Sequence, residues 1–293
     1  MANIAQPGQK QPASPDTTGH EWDGIAEYNN PLPRWWLYGL YATIVWAFGY
    51  WIAYPAWPLV SGYTGGVLGY SQRATVLDEV EAVRRERDAR GQAQLASATV
   101  AEIRADPALL RLALATGKAA FGDNCAACHG TSATGRAGYP NLQDDDWLWG
   151  GTAEEIERTV RYGARSGHGE ARVGDMPAFG RDGVLSRAEV EAVASYVLAL
   201  SGKPGVAGAN PGKGAEVFAG NCAGCHGERG AGNPEMGAPN LADPIWLYGS
   251  SPEQVVATVT NGRKGVMPAW EDRLDPATIK SLAVYVHGLG GGK

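Results

Sequence analysis

Two pentads in this chain carry residues able to bond a cofactor covalently and to ligate its metal. They are Cys125-Ala-Ala-Cys128-His129 and Cys222-Ala-Gly-Cys225-His226. In a Cys-x-x-Cys-His pentad the two thiols add to the vinyl groups of a porphyrin, and the adjacent His reaches the iron as an axial ligand. The chain has four Cys, all of them inside the pentads, so no thiol is left for a disulfide framework or a separate redox site. Paired Cys-x-x-Cys also builds structural zinc sites. Zinc ligand sets do not usually place a His directly after the second Cys, and here that occurs twice. The pattern points to two covalently bound haem c groups, attached at Cys125, Cys128, Cys222 and Cys225, with His129 and His226 on the irons.

An iron held by one His needs a sixth ligand or an open position. Met as the sixth ligand raises the reduction potential and closes the iron to substrate, which suits electron transfer. Beyond Met1 the chain has Met176, Met236 and Met267. Met176-Pro177-Ala178-Phe179 and Met267-Pro268-Ala269-Trp270 fall at matching points after the two pentads. Met176 is assigned to haem one and Met267 to haem two. Met236 has no counterpart in the first copy. His168, in a Gly-rich stretch, and His20 and His287, near the termini, read as ordinary loop or packing residues. A haem-ligating His also needs a partner for its other ring nitrogen. In cytochrome c folds a downstream Pro carbonyl takes that role, and Pro140 and Pro239 occupy the matching place. No catalytic residue is expected.

The elements that must hold these residues form an internal repeat. Each copy has a helix before the pentad, then Pro140-Asn141-Leu142 or Pro239-Asn240-Leu241. Next come Trp147-Leu148-Trp149-Gly150 or Trp246-Leu247-Tyr248-Gly249, then a Ser/Thr-capped helix with an acidic first turn. After the Met comes a closing amphipathic helix, Ser186–Leu200 or Asp275–Leu289. The copies are read as cytochrome c domains over 107–202 and 213–293, joined by a Gly/Pro linker over 203–212. Asp144-Asp145-Asp146 before Trp147 reads as solvated carboxylates, or as an acidic patch that steers a basic cytochrome c.

Upstream, residues 35–58 are apolar and uncharged, with Trp and Tyr at both ends. About 20 helical residues cross a bilayer core of roughly 30 Å, so one transmembrane helix is expected there. The expected fold is therefore all-α, with one N-terminal transmembrane helix followed by two tandem haem domains. Residues 1–34 form a leader whose first 19 residues read as disordered. Residues 59–106 form a linker with a charged helix from Arg73 to Leu95. Arg and Lys flanks do not settle orientation. Covalent haem attachment takes place outside the cytoplasm, which implies a cytoplasmic leader and periplasmic haem domains on a bacterial inner membrane. The net charge of −6 and the lack of a basic stripe exclude a nucleic-acid partner.

The leader Gly19-His20-Glu21-Trp22-Asp23-Gly24-Ile25-Ala26-Glu27-Tyr28-Asn29-Asn30-Pro31-Leu32-Pro33-Arg34-Trp35-Trp36, joined to the apolar segment and two haem domains, resembles one family over nearly the whole chain. That family is subunit III, the di-haem P subunit, of cbb3-type cytochrome c oxidase. The resemblance implies transfer of electrons from periplasmic donor cytochromes to a mono-haem cytochrome c subunit II and on to a haem–copper subunit I, which reduces oxygen. The oxygen-reducing site lies outside this chain. A free-standing membrane-anchored di-haem shuttle would share the haem motifs but has no use for the leader. An open-iron peroxidase or sensor is disfavoured by Met176 and Met267. One departure from symmetry is a longer loop around Arg161–Glu170.

Overall fold

The computed structural model describes residues 16–291; the disordered reading of residues 1–15 lies outside them. The chain forms two compact units, one ending at Val83 and one starting at Arg84.

The first unit opens with an antiparallel hairpin of β1 (Thr17–Trp22) and β2 (Ile25–Tyr28). Asp23 and Gly24 form its turn at φ 48° and 82°. Positive φ at both central residues matches the right-handed twist of the flanking strands, and Asp-Gly is a favoured pair for it. Thr17–Gly19 are thus strand rather than disordered. Helix α1 (Arg34–Ala53) follows, then a short hairpin of β3 (Pro58–Leu59) and β4 (Gly62–Tyr63). Helix α2 (Gln72–Ala89) begins in this unit.

The structure corrects the expectation of an all-α chain with a transmembrane helix over 35–58. Small sheets are present, and among the described residues no helix is long and apolar enough to cross a membrane. The apolar run is not one helix. Tyr54 leaves helical geometry at φ −118° and ψ 161°, as expected for a residue preceding a proline, here Pro55. Beyond it the chain turns into β3 and β4. Within α1, Gly39 and Gly49 add no apolar side chain, and the many Trp and Tyr rings carry polar N–H and O–H groups. The segment lacks charge but is less apolar than its length suggests.

The second unit holds α3 (Gln92–Ser97), α4 (Val100–Ala105), α5 (Pro107–Asn124), α6 (Ala126–His129), α7 (Ala153–Tyr162), α8 (Arg187–Leu200), α9 (Pro211–Asn221), α10 (Ala223–His226), α11 (Pro252–Asn261) and α12 (Pro276–His287). Their starts follow from sequence. Asp106 and Asn210 cap α5 and α9, each with Pro at the first helical position, where the missing N–H costs nothing. Thr152 with Glu155, Ser186 with Glu189 and Ser251 with Gln254 form capping boxes on α7, α8 and α11.

Two helical cores result. In one, Phe121 of α5 and Ile156 and Val160 of α7 pack with Ile279, Leu282 and Val286 of α12. In the other, Val193, Val197 and Leu198 of α8 pack with Val217 and Phe218 of α9 and with Val255 and Val259 of α11. The closing helix of each repeat therefore packs on the pentad-bearing elements of the other repeat. The second core runs continuously from Met176 to Asn261 and is inserted between α7 and Met267 of the first. Residues 92–105, expected as linker, supply Leu95, Val100 and Ile103 to a third buried cluster with Ala113, Ala277 and Val284.

Both helix crossings depend on a glycine. A Cβ on Gly117 would lie 2.2 Å from the Ser281 carbonyl oxygen of α12, and one on Gly214 would lie 2.1 Å from the Ala192 carbonyl oxygen of α8. Phe121 meets Tyr285 at 5.6 Å and Phe218 meets Tyr196 at 5.2 Å beside them. Overpacking a tight core costs about 1–3 kcal/mol. Gly117→Ala and Gly214→Ala are each expected to lower unfolding free energy by that amount in denaturant titration. Unchanged midpoints would show that these crossings are looser than described.

Candidate haem sites

Each pentad sits where a long helix ends and a single further turn begins. Cys125 closes α5 and opens α6; Cys222 does the same for α9 and α10. The one-turn helix sets the first Cys, the second Cys and the His along one short surface. Cys125 and Cys222 are partly buried, while Cys128 and Cys225 are exposed. Burial, reinforced by the neighbouring second thiol, pushes Cys125 and Cys222 up to about 11. As free side chains they are therefore thiols rather than thiolates. Among the described residues no three His, Cys, Asp or Glu side chains converge as a metal-ligand cluster.

The two histidines have the same surroundings. His129 Nδ1 lies 3.0 Å from the Pro140 carbonyl oxygen, and His226 Nδ1 lies 3.0 Å from that of Pro239. A carbonyl only accepts, so Nδ1 is the protonated nitrogen and Nε2 keeps its lone pair for a metal. Burial lowers both pKa values, with the Pro carbonyl opposing it, which favours the neutral, ligating form. Tight glycine turns set the distance from His to Pro. Gly135 N–H donates to the His129 carbonyl and Gly232 N–H to that of His226, both at 2.8 Å. A Cβ on Gly135 would come within 2.3 Å of the Tyr139 carbonyl oxygen.

Apolar residues complete each site. Cys125 and Ala126 share the first core with Leu142, Trp147, Met267 and Trp270. Cys222 and Ala223 share the second with Leu241, Trp246, Met176 and Phe179. The structure thus brings each expected methionine to a pentad core, and to that of the other repeat. The described site fits a covalently attached porphyrin. An apolar wall faces each Cys pair, each His presents a free Nε2, and each site has one thioether. The Trp246 indole Nε1 and Arg172 Nε are buried without protein acceptors, and a porphyrin's two carboxylates have the chemistry they lack.

The other sequence candidates lie elsewhere. Met236 is 44 % exposed. His168 stacks on Tyr162 at 4.9 Å and its Nε2 lies 3.4 Å from Glu271.

Comparison with known proteins agrees with this geometry. The family described as the N-terminal domain of cytochrome oxidase-cbb3, FixP, matches residues 14–61. The family described as cytochrome c oxidase, cbb3-type, subunit III, matches residues 112–197 and 209–286. The chain belongs to the subunit III family of cbb3-type cytochrome c oxidase. It is 59 % identical over 277 residues to the cbb3-type cytochrome c oxidase subunit FixP of Bradyrhizobium sp. (strain ORS 278), covering 94 % of this chain and 95 % of that one. It is 52 % identical over 289 residues to subunit CcoP of Cereibacter sphaeroides, covering 98 % and 99 %. Its function is electron transfer as a cytochrome c subunit of a terminal oxidase, and membership of the family implies haem c binding.

Arg165 was not singled out in the sequence. At φ 53°, in the backbone region that favours glycine, it sends Nε to the Gly265 carbonyl and Nη1 to the Gly174 carbonyl, both at 2.5 Å. Each carbonyl lies two residues before one of the methionines. The positive φ and the long loop after α7 were the available signals, but only the second is legible without coordinates.

The acidic patch is more buried than a solvated run. Burial raises Asp146 to about 6, helped by Asp243 and Asp144, and burial also raises Asp144. A carboxyl raised on folding binds more protons in the folded state, so its contribution favours folding at low pH and is lost as pH rises through about 6. Asp146→Asn is expected to raise the unfolding free energy at pH 7 by on the order of 1 kcal/mol after allowance for solvent screening, read as a higher melting temperature, with little change at pH 4. An equal gain at both values would assign the effect to something other than this titration.

Proposed function

We propose that this chain is the di-haem electron-entry subunit of its oxidase, with one haem c on each pentad. Cys125 and Cys128 attach one group and Cys222 and Cys225 the other. His129 and His226, with Met176 and Met267, supply axial ligands, and Pro140 and Pro239 orient the histidines. The observation that carries this reading is the duplicate His–Pro hydrogen bond at 3.0 Å beside an apolar wall that includes one methionine. When bound, an iron with His and Met ligands supplies one-electron redox chemistry at a raised potential. The chain's own residues hold the two imidazoles in one tautomer, keep water away with Trp147, Trp246, Phe179 and Trp270, and fix the methionines on hydrogen-bonded loops.

The partners in this reading are a mono-haem cytochrome c subunit II, a haem–copper subunit I and a donor cytochrome c. The chain is membrane-associated, with its haem-bearing unit on the periplasmic side, where covalent attachment takes place. Oxygen is reduced on another subunit.

Two measurements test this. Pyridine haemochrome assay is expected to give two haems per wild-type chain and one in each of Cys125→Ala/Cys128→Ala and Cys222→Ala/Cys225→Ala; one haem in the wild type refutes the reading. Replacing either methionine with Leu is expected to lower one reduction wave. For a one-electron couple about 59 mV is a tenfold change in equilibrium, so oxygen uptake driven by reduced cytochrome c should fall by about tenfold or more. Undiminished uptake in both variants would remove the methionines from the electron path.

A further inference from the structure

Resting on the reading of Met176 and Met267 as axial ligands, we infer that Arg165 is a positioning residue for both methionines, so that one guanidinium sets the reduction potentials of both haems together. Each repeat carries its own pentad, proline and methionine. Arg165 joins the two sets.

The link runs through four glycines, each two residues before a group that a haem site uses. Gly138 precedes Pro140 and Gly237 precedes Pro239, whose carbonyls meet the pentad histidines. Gly174 precedes Met176 and Gly265 precedes Met267. Two aromatic side chains back these glycines in pairs. Trp149 is 8 % exposed and lies behind Gly174 and Gly237, where an added Cβ would come within 3.5 Å and 2.2 Å of it. Tyr248 lies behind Gly138 and Gly265, where an added Cβ would be 3.4 Å from its ring and 3.0 Å from its hydroxyl. Arg165 connects the two pairs. Its Nη1 donates to the Gly174 carbonyl and its Nε to the Gly265 carbonyl, both at 2.5 Å, and its guanidinium carbon is 5.6 Å from the Trp149 ring.

The backbone is shaped to deliver this side chain. Arg165 stands at φ 53°, and such outliers persist only where the surroundings over-determine them. Its N–H donates to the Arg172 carbonyl at 2.7 Å, and the Arg172 N–H donates to the Gly163 carbonyl at 3.0 Å. A guanidinium offers its donors in a rigid planar fork, so the two glycine carbonyls are held at one spacing. Each loop is pinned again at the methionine itself. Met267 exchanges both backbone hydrogen bonds with Ala164, at 3.0 and 2.9 Å, and Met176 exchanges both with Arg263, at 3.0 and 3.1 Å. Gly163 and Gly262, at φ 74° and 68°, let those backbones meet, since a Cβ on either would lie 2.3 Å from the methionine carbonyl oxygen. Two fixed points two residues apart set where each thioether starts, and axial ligation with the hydrogen bonding behind it is what tunes a haem potential.

The second repeat does not duplicate the link. Gly163-Ala164-Arg165 aligns with Gly262-Arg263-Lys264. Arg263 lies over the Tyr248 ring at 4.1 Å and donates to Thr258 of its own α11, at 3.1 and 2.6 Å. Lys264 pairs with Asp175 at 3.4 Å and is 71 % exposed.

The test is potentiometric titration of the full-length protein, with the weak red Met-to-iron absorbance of the ferric form recorded alongside. Met176→Leu and Met267→Leu are each expected to remove part of that absorbance; full retention in both overturns the ligand reading, and this proposal with it. Where that loss is seen, Arg165→Leu is expected to lower both reduction waves by about threefold to tenfold in equilibrium, about 30–60 mV for a one-electron couple. Arg165→Lys keeps the charge without the planar fork and should also leave both waves lowered; it carries the test should the Leu variant not accumulate. Lys264→Gln removes a charge from the matching exposed position, where an ion pair counts for little, and should move neither wave. Movement of one wave only, full recovery of both in Arg165→Lys, or an equal shift in Lys264→Gln overturns the proposal while leaving the ligand reading intact. A lower melting temperature with both waves in place does the same, by giving Arg165 a purely structural role.

Discussion

The second unit depends on the paired backbone exchange between Ala164 and Met267 and between Arg263 and Met176. Neither core is complete without a loop that the other repeat delivers, and these four hydrogen bonds set where each loop stops. Around them the sequence is locally permissive only in a narrow way. Gly163 and Gly262 end their helices at positive φ and allow the methionine backbone to come within van der Waals distance. Arg165 then holds the residues ahead of both methionines with a single guanidinium. Disturbing one loop therefore disturbs the wall beside both pentads, and the two cores share stability.

The chemistry was far more legible in the sequence than its spatial pairing. Covalent attachment needs two thiols and a His at one fixed spacing, so the pentads announce themselves. A Pro carbonyl at hydrogen-bond distance from each pentad His and a methionine packed in each pentad core recur in both copies. Repetition reports that two segments are alike; it says nothing of which copy of a helix packs on which. For that the only trace was the longer stretch between Gly163 and Met176, whose meaning depends on Gly117 and Gly214 choosing α12 and α8 as neighbours. Arg165 escaped notice because its role lies in a backbone angle and two carbonyls, neither of which leaves a residue pattern.

At the N-terminal end, reading by absence of charge misled. Residues 35–58 look continuous as letters, yet Pro55 stops α1 and the chain folds into β3 and β4. Asp23-Gly24 did carry a hairpin signal, and strands formed around it where composition suggested disorder. In both places local backbone chemistry outweighed average apolarity. Subunit III family membership rests on the whole chain and does not depend on how that segment is described.

Inserting the second core between α7 and Met267 gives the two sites different histories during synthesis. Residues 176–263 carry the second core and the Arg263 partner of Met176 in one stretch, and can close as soon as Arg263 has emerged. The cavity around Cys125 and His129 must wait for residues made last, including α12. The earlier pair of thiols therefore stays reachable for longer, and the order in which sites are sealed is the reverse of the order in which they are made.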